Sequence, residues 1–360
     1  MTAVPIYFDE FLTNIRPQPA QRTHYAKAHQ LLRQRLQGDQ ALKAEIVTTF
    51  LQGSYRRATL LRPAAGKQAD VDVVVLTRFD HNNSTPEAVL NQFEVFARRA
   101  YEATGEGTVK RQGRSVGIVL PEVALDIVPT AAASEAQTIA VDPFVKSDSA
   151  LDEDGTEPLR KSAADEAWRK EPLRIPDRDA KVWEYTNPLQ QIAWTTGKNA
   201  ESNGLFINVV KIFKHWRRHA LTALDRPKGF PLERVVGDCF VTSTSVADGI
   251  TNVFAQFIAR YEANVKRGGV PRLTDYGVPS RDVMARVDPR DFAKLYAAVA
   301  GAEEDARVAL ACGNTNESID RWRALFGDDF PPPNTDDGGR GGGFTPRSNP
   351  SRPSNTGRFA

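Results

Sequence analysis

Gly53-Ser54, a short loop, and then Asp70-Val71-Asp72-Val73-Val74-Val75-Leu76 is the stretch that decides the fold. Alternating Asp and Val read as a β-strand, in which successive side chains point to opposite faces, so Asp70 and Asp72 project from one face. Two like charges about 4 Å apart repel by roughly 4 kcal/mol at an effective dielectric near 20. A fold keeps such a pair only when something positive sits between them. Oxygen-only ligands favour Mg²⁺, which takes one or two carboxylates and completes its shell with water and substrate phosphates. The Gly-Ser turn offers backbone N–H groups and a hydroxyl to an anion. A phosphate cradle beside a divalent-metal site points to nucleotidyl transfer.

Val123-Ala124-Leu125-Asp126-Ile127-Val128 supplies a third acid, set inside another apolar strand. A charge in an apolar strand needs a partner. Placed beside Asp70 and Asp72, Asp126 completes a carboxylate trio able to hold two ions for an in-line phosphoryl displacement. The competing reading is three solvated acids at strand ends.

The string Gln52-Gly53-Ser54-Tyr55-Arg56-Arg57-Ala58-Thr59, then Asp70-Val71-Asp72, then Leu125-Asp126-Ile127-Val128-Pro129, resembles the bacterial CD-NTases. These are the cyclic GMP–AMP synthase/DncV-like nucleotidyltransferases of CBASS anti-phage operons. Lys211-Ile212-Phe213-Lys214-His215-Trp216 resembles the Lys-x-x-Lys-x-Trp pattern of the family's long helix, and Trp322 to Gly327 resembles its closing segment. The similarity spans roughly residues 5 to 328. The resemblance implies an α/β (α+β) fold: a polymerase-β-like nucleotidyltransferase core with a mixed twisted sheet, plus a C-terminal helical lobe. It implies Mg²⁺ at Asp70, Asp72 and Asp126, as two ions with Mn²⁺ as an alternative. It also implies NTP triphosphate contact by Gly53, Ser54 and one or both of Lys211 and Lys214, with Gln52 and Phe230 also nucleotide-binding, and a cyclic di- or trinucleotide product acting through a downstream effector. Family members often carry Ser-Tyr before a Leu-Glu helix start. Gly229-Phe230 stands there in this chain, so Phe230 can stack on a base but Gly229 brings no hydroxyl; Lys228 could compensate.

Composition sets outer limits. The net charge of the 360-residue chain is only +2, so affinity for long nucleic acid cannot rest on bulk electrostatics. An apolar share of 41% is enough for a sizeable core. Cys239 and Cys312 have no paired spacing, which argues against a zinc site or a disulfide framework and fits a reducing cytoplasm. No apolar run approaches membrane-spanning length. The expectation is a soluble cytoplasmic protein.

Along the chain, residues 19 to 45 read as helix, Pro86 opens a helix through Tyr101, and strands follow at Thr108 to Lys110, Ser115 to Leu120 and Val123 to Val128. Residues 129 to 186, rich in Pro and acids, are expected to wrap the surface around short elements. From Pro188 the pattern turns helical. Phe206, Val209, Val210, Phe213 and Trp216 form one apolar face, with Lys211, Lys214 and Arg218 on another. A basic stripe is usually a solvated face. The family pattern assigns Lys214, and less firmly Lys211, to phosphate, and leaves Arg218 to solvent. His215 and His219 lack a metalloprotease Glu and read as surface or base-edge residues. Trp183, Tyr185 and Trp194 read as packing residues. Arg56 and Arg57 could meet either phosphate or a nearby acid.

The expected domains are a catalytic core with an N-terminal helix over 1–186, a helical lobe over 187–328 and a disordered Pro/Gly-rich tail over 329–360. The terminal Gly357-Arg358-Phe359-Ala360 has the shape of a substrate for a ubiquitin-transfer-like operon partner, with Ala360 as the conjugation terminus. Two rival functions remain in view: a template-independent transferase acting on RNA ends or making linear oligonucleotides, and an inactive nucleotide-binding scaffold.

Overall fold

The computed structural model describes residues 4–148 and 171–334; the expected conjugation terminus at Ala360 lies outside them. Strands β1 (Ile46–Gln52), β2 (Ala69–Thr77), β3 (Thr108–Arg111), β4 (Val116–Val119) and β5 (Val123–Ala132) form one sheet in the order β1-β2-β5-β4-β3. The β2–β5 pairing is parallel and the others are antiparallel, so the sheet is mixed, as the resemblance implies.

Alternation along β2 sorts its residues. Val71, Val73 and Val75 are buried in a core formed with helices α2 (Pro19–Gly38) and α4 (Pro86–Ala97). Val74 and Leu76 point the other way, into a smaller cluster with Val141 of α5 (Glu135–Asp148) and Leu189 and Ile192 of α6 (Pro188–Glu201). Asp70 and Asp72 share the face of Val74 and Leu76, beyond the edge of that cluster. The helix starts carry their expected signals: Thr85 Oγ1 accepts from Ala88 N at 3.2 Å with Pro86 in the first turn, and Asn187 Oδ1 accepts from Gln190 N at 3.0 Å with Pro188 next.

A second, larger core belongs to the helices. It gathers α7 (Leu205–Ala220), α8 (Phe230–Cys239), α9 (Val246–Lys266), α10 (Pro289–Ala311) and α11 (Thr315–Phe326). The apolar face of α7 is buried in it: Phe213 and Trp216 meet Phe254 at centroid distances of 5.8 and 5.0 Å. Each such side chain contributes about 1.5–3 kcal/mol on burial.

Three placements differ from the sequence expectation. Helix α1 (Pro5–Ile15), expected with the sheet, packs into the helical core, because Phe8 and Phe11 stack against Trp322, Phe326 and Phe330. Phe330 is fully buried there and Asp329 pairs with Arg62 at 3.2 Å, so the ordered helical region runs past the expected boundary at residue 328. The Pro- and acid-rich region after 129 holds regular structure: β5 continues to Ala132, α5 follows, and β6 (Leu173–Asp177) pairs with β7 (Val182–Thr186) as a hairpin. Pro176 is tolerated because the hairpin has only two strands.

Candidate active site

The end of β1 delivers the Gly-Ser turn onto the acids. Gln52 is the register partner of Asp72, and the chain then turns through Gly53 at φ +73°. A Cβ on Gly53 would sit 1.8 Å from Asp72 Oδ2. Both the left-handed conformation and the lack of space require glycine here. Across the sheet, Asp72 is the register partner of Asp126 on the parallel strand β5, and Asp70 lies two residues earlier on the same face. Sheet geometry therefore brings the three acids of the sequence analysis into one strip. Gln112 Nε2 donates to Asp126 Oδ1 at 2.9 Å.

The strip is electrostatically unsatisfied. Burial, with a smaller contribution from Asp70, pushes Asp72 up to about 6 against the opposing pull of Arg57. Burial and the charges of Asp72 and Asp70 push Asp126 up to about 7, eased only by the Gln112 hydrogen bond. Asp70 is also raised, by burial, although Lys228 pulls the other way. A divalent cation relieves this repulsion, and an all-oxygen donor set suits Mg²⁺. Among the described residues no three His, Cys, Asp or Glu groups converge as a ready-made metal cage. An ion bound through one or two carboxylates plus substrate phosphates needs no such cage. The acids thus fit Mg²⁺ in type and register.

The strip opens into a cleft of about 710 Å³ that Gln52, Gly53, Ser54, Lys214 and Phe230 also line. At its base, buried Glu233 joins the helical elements to the segment that follows the Gly-Ser turn. Glu233 accepts from Arg57 Nε at 2.9 Å, Thr59 Oγ1 at 2.8 Å and Lys214 Nζ at 3.1 Å. Burial alone would raise the Glu233 carboxyl; Arg57 and Lys214 outweigh it and hold it at about 2. Lys214 also donates to the Thr59 carbonyl at 2.9 Å. The Arg57 guanidinium lies 5.0 Å from the centre of the Phe230 ring, backing the residue expected to stack on a base.

Other candidates fall elsewhere. Lys211 is buried, does not line the cleft, and has no hydrogen-bond or ion-pair partner among the described residues. Burial and neighbouring Arg16 and Lys214 hold its ammonium well below the usual lysine range. Lys214, one turn on, reaches the cleft, whereas Lys211 is enclosed near Arg16 at the end of α1. Arg218 is not free in solvent: it donates to the Arg62 carbonyl at 2.8 Å. His215, expected at the surface, is buried with Nε2 3.0 Å from the Phe326 carbonyl, whereas His219 is exposed. Trp194 packs flat on Tyr276 at 3.5 Å. Tyr185, expected to pack, is 44% exposed. Lys228 pairs with Asp225 at 2.8 Å. Sequence reasoning missed Glu233, Gln112, Arg281 and Arg286. Glu233 belongs to the site through contacts made far along the chain, Gln112 through its bond to Asp126 and the two arginines by lining the cleft, and no spacing pattern announces them.

Residues 1–142 match the model of the second messenger oligonucleotide or dinucleotide synthetase domain. The chain is 39% identical to the cyclic AMP-AMP-GMP synthase of Enterobacter hormaechei subsp. hoffmannii over 98% of both chains. It is 28% identical to the cyclic AMP-AMP-AMP synthase of an Acinetobacter species, covering 90% of this chain and 84% of that one. Among solved structures, the CD-NTase of Bradyrhizobium diazoefficiens in complex with GTP shares the fold with a TM-score of 0.67 at 13% identity, over 89% of this chain and 95% of that one.

Proposed function

Because this chain belongs to the bacterial CD-NTases, nucleotidyltransferases that build cyclic oligonucleotide second messengers, we propose that its cleft joins ATP and GTP into a cyclic trinucleotide of the AMP-AMP-GMP kind for anti-phage signalling. The product assignment leans on the 39% identity, sustained over nearly the whole chain, to a synthase of that product. One observation carries the site: Asp72 and Asp126 are register partners on parallel strands, with Asp70 on the same face, at the mouth of a cleft lined by Gly53 and Ser54.

Enzymes of this family are generally metal-dependent. Asp70, Asp72 and Asp126 would hold Mg²⁺, as two ions, which when bound would neutralise the donor phosphates and lower the pKa of the acceptor ribose hydroxyl. Gly53 and Ser54 bring N–H groups and a hydroxyl to those phosphates, and Gln52 fixes the turn against Asp72. Lys214 adds positive charge on the cleft wall while Glu233 holds it in place. Phe230, backed by Arg57, offers a face to a base. The acceptor oxygen bonds to the donor α-phosphorus, the bond to the β-phosphate oxygen breaks, pyrophosphate leaves and the hydroxyl proton passes to water. Positioning and charge neutralisation supply most of the rate, so no dedicated protein base is needed.

Incubation with the four NTPs and Mg²⁺ should yield phosphatase-resistant product of trinucleotide mass. The Asp70→Asn/Asp72→Asn protein should keep its fold by circular dichroism and lose synthesis. Persistent synthesis in that variant overturns the assignment, and phosphatase-sensitive chains alone would favour a linear-oligonucleotide transferase. A covalent partner at Ala360 is proposed from the sequence resemblance alone; loss of adducts with a ubiquitin-transfer-like enzyme on removing Phe359-Ala360 is its test.

A further inference from the structure

The helical side of the same cleft carries a cationic pair that no step above uses. Arg281 and Arg286 line it, on the loop between α9 and α10. That loop consumes its own acids. Asp282 Oδ1 accepts from Leu273 N at 3.1 Å and Met284 N at 2.9 Å. Asp275 takes both carboxylate oxygens to Gln191 Nε2 at 3.0 Å and accepts from Gly277 N at 2.9 Å. Glu184, which also lines the cleft, is taken by Arg114 at 2.6 Å. The guanidinium groups of Arg281 and Arg286 are thus left with no hydrogen-bond or ion-pair partner among the described residues, the Arg281 backbone alone bonding to Asp275 and Val278. Burial, helped by the nearby charges of Arg114 and Arg286, lowers the Arg281 guanidinium from its usual range against the weaker opposing pull of Asp275 and Glu184, and an anion in the cleft would add to that pull.

The chemistry of ring building names what such a pair is for. In each linkage the donor loses pyrophosphate at the acid strip, but the acceptor keeps its own 5′-triphosphate. In a trinucleotide that triphosphate must survive two transfers and then, in the third, take the attack of the chain's last hydroxyl at its α-phosphorus and release pyrophosphate. While it waits it carries about four negative charges and cannot occupy the strip already holding the donor. It needs cations elsewhere in the cleft, and a guanidinium fork matches phosphate oxygens in geometry as well as charge. We propose that Arg281 and Arg286 hold the 5′-triphosphate of the acceptor nucleotide during the early transfers. This assignment rests on the synthase reading above and adds a second phosphate subsite to it.

The test measures the first linkage from a labelled donor NTP to acceptors bearing three, one or no 5′-phosphates. Wild-type protein should favour the triphosphate acceptor by about 10-fold or more over the nucleoside, the worth of at least one charge-assisted hydrogen bond. Arg281→Gln/Arg286→Gln should raise KM for the triphosphate acceptor and leave the nucleoside rate unchanged, so the preference collapses. Arg281→Lys/Arg286→Lys should recover part of it. The subsite is overturned if the Gln pair keeps the preference, if it slows all three acceptors equally, or if it alters only the choice between adenine and guanine. Failure of the wild type to form any linkage brings down the synthase reading and this subsite together. Linkage with no phosphate preference brings down the subsite alone.

Discussion

Gly53 is the residue on which the site turns most sharply. Its φ of +73° favours glycine, and any Cβ there collides with Asp72 Oδ2. Gly53→Ala should therefore cost about 1 kcal/mol in backbone strain. By pushing the carboxylate aside it should lower the rate of linkage by about 100-fold, the scale of a 1 Å misplacement. Steady-state rates beside a denaturation curve separate the two effects; an unchanged rate would mean that Asp72 does not act from the position it holds. His215 gives a pH test away from the chemistry. Burial lowers its imidazole to about 4 against an unfolded value of 6.5. The folded protein then binds fewer protons than the unfolded chain below 6.5, so stability is whole above that pH and falls progressively towards 4. Between pH 7 and pH 5 the loss through this group is about 2 kcal/mol. Chemical denaturation of His215→Gln at the two pH values should show a slope shallower by that amount.

At the scale of elements, α7 shows what periodicity can and cannot disclose. Its apolar face was legible because Phe206, Val209, Val210, Phe213 and Trp216 recur at helical spacing, and all five are buried. The same spacing joined Lys211 to Lys214, yet one is enclosed without a partner among the described residues and the other reaches the cleft. Spacing fixes which face a residue is on; what packs against that face depends on segments hundreds of residues away. Strand β2 is the opposite case. Alternation alone placed Asp70 and Asp72 on one face, and the embedded charge of Asp126 pointed to its cross-strand partner. Loop-borne groups such as Arg281 have no period, so nothing local marks them. The two lysines accordingly respond in opposite ways to the same change. Lys211→Met removes a buried cation whose charged form folding disfavours, and should raise stability by on the order of 1 kcal/mol with synthesis unaltered. Lys214→Met strips Glu233 of a partner and the cleft of a cation, and should lower both stability and rate. Equal losses in the two variants would show that the stripe acts as one unit.

Across the whole molecule, two cores are built by different segments, the sheet core from residues 25 to 127 and the helical core from residues 4 to 15 and 206 to 330. Glu233 ties them together. It sits on α8, inside the helical core, and binds Arg57 and Thr59 from the segment that leaves the Gly-Ser turn. Removing one partner of a buried charge group costs about 3–5 kcal/mol, because the remaining charges stay desolvated. Glu233→Leu strands Arg57 and Lys214 in this way and should lose that much stability, together with synthesis, since Arg57 backs Phe230 and Lys214 faces the cleft. The pH dependence has the sign of a depressed acid. With Glu233 at about 2 against 4.5 when unfolded, its contribution is complete above 4.5 and is lost as pH falls towards 2, amounting to about 3 kcal/mol. Replacing the whole charge group at once separates stability from function. Arg57→Met/Lys214→Met/Glu233→Leu leaves none of this group's own charges stranded and should regain most of the stability lost in Glu233→Leu, while synthesis stays absent. A triple variant no more stable than the single one would show that apolar packing between the cores, and not this ion cluster, holds the cleft in shape.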